Sequence, residues 1–309
     1  MSKAFRNFLL VAAVLIIVGG IITGIGFVFG GLRSVALTQN GPVIVGFEND
    51  TVIEVNESYN KITDITVDVD ISELKFEEGT SFSLKGRYNP NIIDLKINES
   101  NGVLTISGKA LSRNQWHFGW FFNDLSIGYD ETLVFTYPKG TEFKSIKINN
   151  SLGSLDLQNL KAKSLSVSLD LGDFNGDSIL VDSIDTDLNL GSCSINHLTV
   201  TKDAKFRLDS GSLTLRNSTV NNLVANNNLG SFRFSGKLTG KAEATLDVGS
   251  LDMDLENKDS ELSYSIGADL GSIRINGKEY GASAHRTVNS PICTLDISLS
   301  LGGVRLNTE

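Results

Sequence analysis

Eight glycines recur in one register through the second half of the chain, and nothing else constrains the fold as tightly. Gly153, Gly172, Gly191, Gly211, Gly230 and Gly249 follow one another at a nearly constant interval, which widens before Gly271 and widens again before Gly302. Two residues before each glycine stands Ser151, Asp170, Asn189, Asp209, Asn228, Asp247, Asp269 or Ser300. Two residues after it comes an apolar side chain: Leu155, Phe174, Cys193, Leu213, Phe232, Leu251, Ile273 or Val304. A period of about 19 residues marks a solenoid or array, in which each unit buries its apolar face only by stacking on its neighbours.

Before the glycine the pattern alternates, as in Leu165-Ser166-Val167-Ser168-Leu169-Asp170-Leu171, which reads as a strand with one buried face. After it, Phe232-Arg233-Phe234 resumes the alternation with its parity shifted. A parity change needs a turn or bulge, and glycine supplies the positive φ of such a corner. The Asx or Ser side chain two residues earlier is expected to hydrogen-bond the corner backbone. None of the four prolines (Pro42, Pro90, Pro138, Pro291) falls within residues 139–290, as a ladder of strands requires. An outlying copy, Ile65–Phe76, fits the same columns with Ser72 in the glycine position. The predicted fold is all-β: a parallel β-solenoid of ~19-residue rungs stacked ~4.8 Å apart, preceded by one N-terminal transmembrane helix. The alternative is an antiparallel stack of hairpins or a β-sandwich. Tight hairpins favour Asn-Gly or Asp-Gly, whereas glycine here usually follows Leu or Val. With rungs in sequence order, Cys193 and Cys293 would lie about five rungs and roughly 24 Å apart, as two buried free thiols.

Residues 8–31 carry no charge, and a helix of that length spans the ~30 Å hydrocarbon core. Lys3 and Arg6 precede the segment and only Arg33 closely follows it, so the tail is expected inside the cell and the remainder outside. A cleaved signal peptide with Ser34-Val35-Ala36 at its cleavage site is the competing reading, but its apolar region should be only ~7–15 residues. Gly20, Gly24, Gly26 and Gly30 have the small-residue spacing of a helix-dimer contact; the plainer reading is that glycine is common in membrane helices. Beyond residue 33 the chain holds 24 basic residues (27 less Lys3, Arg6 and Arg33) against 36 acidic ones, a net of −12. That balance argues against a nucleic-acid partner.

Asn114–Phe122 holds both tryptophans, and Trp116, Phe118, Trp120, Phe121 and Phe122 form a candidate binding surface for a glycan ring, the membrane interface or a protein. The competing reading is a hydrophobic plug over the solenoid end. The Asp/Asn/Ser column supplies too few oxygens per rung for calcium and lacks the glycine-rich nonapeptide of calcium-binding β-helices, so neither metal nor cofactor is expected. His117, His197 and His285 are far apart and no G-x-S-x-G motif occurs, so the chain reads as a non-enzyme, a polysaccharide-acting enzyme on a solenoid being the weakest alternative.

Leu133-Val134-Phe135-Thr136-Tyr137-Pro138-Lys139-Gly140, then Ile146-Lys147-Ile148, Leu152-Gly153-Ser154-Leu155 and the repeated Leu/Val-Gly-Ser/Asp corners resemble the bacterial putative-adhesin family of β-strand-repeat proteins. The resemblance covers roughly residues 60–305. It implies a membrane-tethered, envelope-facing β-solenoid without catalytic residues, in a group often linked with cell-envelope stress. The expected organisation is a cytoplasmic tail (1–7), a transmembrane helix (8–31), a tether or first strand (32–59), an N-terminal β part with the aromatic insertion (60–138) and the solenoid repeats (139–309). The expected role is an adhesin-like surface interaction, with a cell-wall glycan or a membrane protein as partner. The alternative is an envelope-stress accessory acting through a membrane partner.

Overall fold

Each corner glycine lies on the corner of the next rung. This is the organising contact of the computed structural model, which describes residues 34–38, 41–45, 52–90, 93–111 and 132–309. The chain divides into two units. In the first, β1 (Ser34–Thr38) and β2 (Gly41–Val45) form an antiparallel hairpin. The second runs through β3 (Ile53–Tyr59), β4 (Asp64–Ile71), β5 (Glu73–Gly79), β6 (Phe82–Tyr88), β7 (Ile93–Ser100), β8 (Val103–Ala110) and β9 (Thr132–Pro138). The regular repeat follows as β10 (Phe143–Leu152), β11 (Leu155–Gln158), β12 (Lys161–Leu171), β13 (Phe174–Leu190) and β14 (Cys193–Leu255). The unit closes with β15 (Leu262–Ile275), β16 (Lys278–Tyr280), β17 (Ser283–Arg286) and β18 (Cys293–Thr308). Residues 8–31 lie outside the described residues; among those described, no helix is long and apolar enough to cross a membrane.

The repeat pairs in parallel on both sides of the corner. Ile146, Leu165 and Ile184 stand in register on one side, and Leu155, Phe174 and Cys193 on the other. The unit is all-β, and its curled sheet of stacked rungs fits a β-solenoid. The apolar column two residues after the glycine is buried throughout, from Leu155 to Val304. The copy around Ser72 stacks directly on the Gly153 rung, β4 pairing with β10 and β5 with β11. The intervening chain supplies outer strands: β8 and β9 extend the parallel ladders, while β7, β6 and β3 pair antiparallel at the edges. Phe76, Phe82, Phe135, Tyr137 and Phe143 pack together in this part of the core, Tyr137 against Phe143 edge-on at 5.3 Å. The Tyr137 hydroxyl donates to the Gln158 carbonyl at 2.5 Å, so this buried phenol keeps a partner.

The irregular intervals have physical causes. Between Gly191 and Gly211 the extra residue is taken up at a bulge: Val181 pairs with Val200, but Ser183 pairs with Asp203. Asp182 accepts from both residues that oppose it at the bulge, Thr201 Oγ1 at 2.9 Å and Lys202 Nζ at 3.0 Å, and the Lys202 bond chiefly holds its carboxyl below the ordinary range. The two wide intervals, Gly249 to Gly271 and Gly271 to Gly302, record a change of order. β18 pairs in parallel with the Gly240–Leu255 end of β14 on one side and with β15 on the other. The last rung in sequence therefore lies between the Gly249 and Gly271 rungs. The sequence-order expectation is corrected accordingly. From Gly249 the chain must step over an empty rung position, which takes extra residues at a single-turn helix, Asp259–Glu261. It must then fold back through β16 and β17, which cover β15 in antiparallel fashion, before β18 fills the gap. Buried Asn257 bridges the step, accepting from Leu238 N–H and donating to Leu238 C=O, both at 2.9 Å.

The reordering places Cys193 and Cys293 four rung steps apart (Gly191, 211, 230, 249, 302) rather than five. Both are buried free thiols. Burial pushes the Cys293 thiol up to about 12 and raises that of Cys193 as well. Unfolded thiols ionise near ~8.5, so above that pH the unfolded chain releases protons that the folded chain keeps, and stability falls as pH rises. Neither thiol should be alkylated in the native protein at pH 8.5, and both should react on unfolding. Native labelling of either one would contradict their placement.

Candidate functional site

At each corner the strand alternation breaks, so the two residues preceding the glycine both face outward. Asp170 and Leu171 are both exposed, as are Asn189 with Leu190 and Asn228 with Leu229. Leu171, which the alternating pattern counts on the buried face with Leu165, Val167 and Leu169, is therefore outside at 47% exposure. The same corner recurs, and the residue before it is almost always aliphatic. In spatial order the column runs Ile71, Leu152, Leu171, Leu190, Ser210, Leu229, Val248, Leu301, Leu270. From Leu152 onward every member except Ser210 is a large exposed hydrophobic, from 40% at Val248 to 69% at Leu270. Nine corners at ~4.8 Å give a ridge roughly 38 Å long.

Two polar columns flank this ridge. On one side the Asx residues bond from rung to rung: Asn189 Nδ2 donates to Asp170 Oδ1 and Asn228 Nδ2 to Asp209 Oδ1, each at 3.0 Å. This corrects the expectation that they bond the corner backbone. Alternating Asp with Asn turns like-charge repulsion into a donor–acceptor ladder. The corner carbonyls are instead reached at two rungs by inward asparagines three residues before the glycine, Asn150 to Ser72 at 2.7 Å and Asn227 to Gly211 at 3.1 Å. On the other side lies a mainly serine column, interrupted by Glu73, Asp173 and Gly303, where Ser231 Oγ donates to Ser212 Oγ at 3.1 Å and Ser192 N–H to Asp173 Oδ1 at 2.8 Å. Neither flanking column contains Lys, Arg or His.

A second corner, invisible in the glycine pattern, is built by Asn159, Ser178, His197, Asn217 and Gly236, all at positive φ. Asn and His are among the side chains that favour that region, and side chains at or just before these corners bond across rungs: Asn196 to Asp177 at 2.9 Å and Asn217 to Asn196 at 3.0 Å. His197 Nδ1 lies 3.3 Å from Asp177 Oδ1 and is the main cause that holds the Asp177 carboxyl below its usual range. His197 is exposed, in keeping with a surface histidine. The signal that could have revealed this corner was the recurrence of Asn159, Ser178 and His197 at the glycine period.

Trp116, Phe118, Trp120, Phe121, Phe122 and the glycines Gly20, Gly24, Gly26 and Gly30 lie outside the described residues. The corner glycines stand in one column, Gly302 preceding Gly271. A surface depression of about 270 Å³ over Asp203, Lys205, Asn222, Val224, Lys241 and Glu243 mixes both charges without a buried nucleophile. Among the described residues no three His, Cys, Asp or Glu side chains gather to hold a metal ion.

Solved structures that the chain matches include a putative adhesin from Bacteroides fragilis, 12% identical, with a TM-score of 0.46 over 85% of this chain and 100% of that one. A putative cell adhesion protein from Clostridium sporogenes is 10% identical, with a TM-score of 0.28 over 84% of this chain and 100% of that one. A putative adhesin from Parabacteroides distasonis is 12% identical, with a TM-score of 0.37 over 84% and 98%. Among curated proteins none matches the sequence. The Toastrack DUF4097 family matches residues 47–292, and the chain belongs to that family.

Proposed function

We propose that this chain is a non-catalytic, adhesin-like module, tethered to the membrane by residues 8–31, that makes contacts outside the cell through the edges of a β-solenoid. The observation that carries this reading is the arrangement of its surface. Outward side chains form columns of like residues over nine stacked corners, an array of equivalent contacts, and the titratable groups are spread along it rather than converging. The acidic balance beyond residue 33 and the charge-free N-terminal segment support display outside the cell rather than nucleic-acid binding. Crosslinking and pull-down from intact cells should recover a specific extracellular partner. Recovery of same-membrane proteins alone would instead favour the envelope-stress reading. Mass spectrometry of membrane-extracted protein should find the N-terminal segment intact, and a mature N-terminus at Leu37 would remove the anchor.

A further inference from the structure

We infer that the aliphatic ridge is covered by the ridge of a second copy of this chain, the two stacks lying side by side and parallel about a two-fold axis along the stacking direction. The inference rests on the surface-module reading and names one partner for it. Leu152, Leu171, Leu190, Leu229, Val248, Leu301 and Leu270, each 40–69% exposed, together leave on the order of 600 Å², at the upper end of the ~300–600 Å² of the largest apolar patch on a typical monomer. With the flanking columns added, the surface reaches the ~800 Å² per partner of a standard interface. Self-pairing matches the spacing of the ridge at every rung.

Charge selects the direction. An antiparallel two-fold would set the carboxylate column, which includes Asp170, Asp209, Asp247 and Asp269, against its own copy with no cation in either flank. The in-register parallel two-fold sets Asp209, Asp247 and Asp269 against the partner's Ser212, Ser250 and Ser272, whose hydroxyls can donate to the carboxylates. Asp70 and Asp170 still meet the partner's Glu73 and Asp173, but the antiparallel pair would set all five of these aspartates against aspartates. Ser210 selects the register. It is the single polar residue of the column, half-buried between exposed Leu190 and Leu229, and in register it meets its own copy, hydroxyl to hydroxyl. A slip by one rung would bury two serines against aliphatic side chains, the kind of mismatch that disfavours a wrong partner arrangement. Two copies tethered at the same end to one membrane also share the parallel direction.

The test uses the full chain in its membrane, with single cysteines at opposite ends of the ridge, Leu152→Cys and Leu270→Cys, and Ser164→Cys on the flat face as control. Cys193 and Cys293 are buried and stay silent. Under mild oxidation each ridge variant alone should form a disulfide-linked dimer, at least tenfold above the Ser164→Cys background. Crosslinking only when the two variants are mixed would show an antiparallel pair and overturn the inference. Dimers equally frequent at Ser164→Cys would mean that another segment holds the copies together, and would overturn it too. Ridge cysteines that form no dimer would mean that the ridge is bare or covered by something else, and this outcome also overturns it. Partner capture from intact cells by the same variants is read separately. Retained capture without ridge crosslinking sinks the dimer and leaves the surface-module reading standing.

Discussion

Replacing Gly211 with alanine is expected to destabilise the protein by about 3–5 kcal/mol, on the order of 10 °C in melting temperature. Two effects act at the same atom. Gly211 sits at φ 148°, where an L side chain is strained, and a Cβ there would overlap the carbonyl oxygen of Gly191 in the adjacent rung. The backbone cannot retreat, because that corner is held by the Gly191 N–H bond to Ser210 C=O at 3.1 Å and by the flanking ladders. The rungs would have to part locally, opening the buried column of Cys193, Leu213 and Phe232. Gly267→Ala is the control. Nothing lies within 4 Å of an added methyl there, so the change should stay within about 0.5 kcal/mol. Thermal melts of the two variants beside the parent chain check both values.

Ending the chain at Asn289 is expected to unravel two rungs although it removes only one. β15 pairs in parallel with β18 and not with β14, so deleting Cys293–Thr308 strands Leu262–Ile275 without its parallel neighbour and bares the Gly240–Leu255 edge. Buried Leu295, Ile297, Leu299, Val304 and Leu306 leave with the deleted segment, and Ile266 and Ile273 lose their cover. Stability in a stack is a sum of rung and neighbour terms, so the damage should stay at this end. Hydrogen exchange should show complete loss of protection over residues 262–275 and weakened protection over 240–255. Residues 143–210 should keep theirs. A stack in sequence order would retain 262–275.

The regular part of this fold was legible because one physical demand repeats. Each rung passes a corner where the neighbouring carbonyl leaves no room for Cβ, so Gly172, Gly191 and their equivalents mark the period, and Leu155 or Phe174 marks the buried column beside it. The Ser72 corner carries a side chain and was legible only from its columns, Ile65, Val67 and Val69 before it and Leu74 and Phe76 after it, although it stands far upstream of Gly153 with several outer strands between them. What stayed hidden depends on information that a period averages away. The wide intervals on either side of Gly271 were visible, but length alone does not say that the chain skips a rung and returns to fill it. The second corner was hidden because Asn159, Ser178 and His197 reach positive φ with three different side chains. The exposed ridge was hidden because Leu171 and Leu190 continue an alternating apolar pattern that the corner interrupts, and their outward direction follows from the turn rather than from the strand period.

The order of the rungs can be read directly from which positions become crosslinked. In this stack, position 300 stands opposite both 247 and 269, one rung from each. Neighbouring rungs are ~4.8 Å apart, within the Cα range of a disulfide, and positions two rungs apart are beyond its ~7 Å limit. Paired substitutions Asp247→Cys with Ser300→Cys, and Asp269→Cys with Ser300→Cys, should therefore form intramolecular disulfides on mild oxidation, while Asp247→Cys with Asp269→Cys should not. A disulfide between positions 247 and 269, with none between 247 and 300, would contradict the interleaved stack.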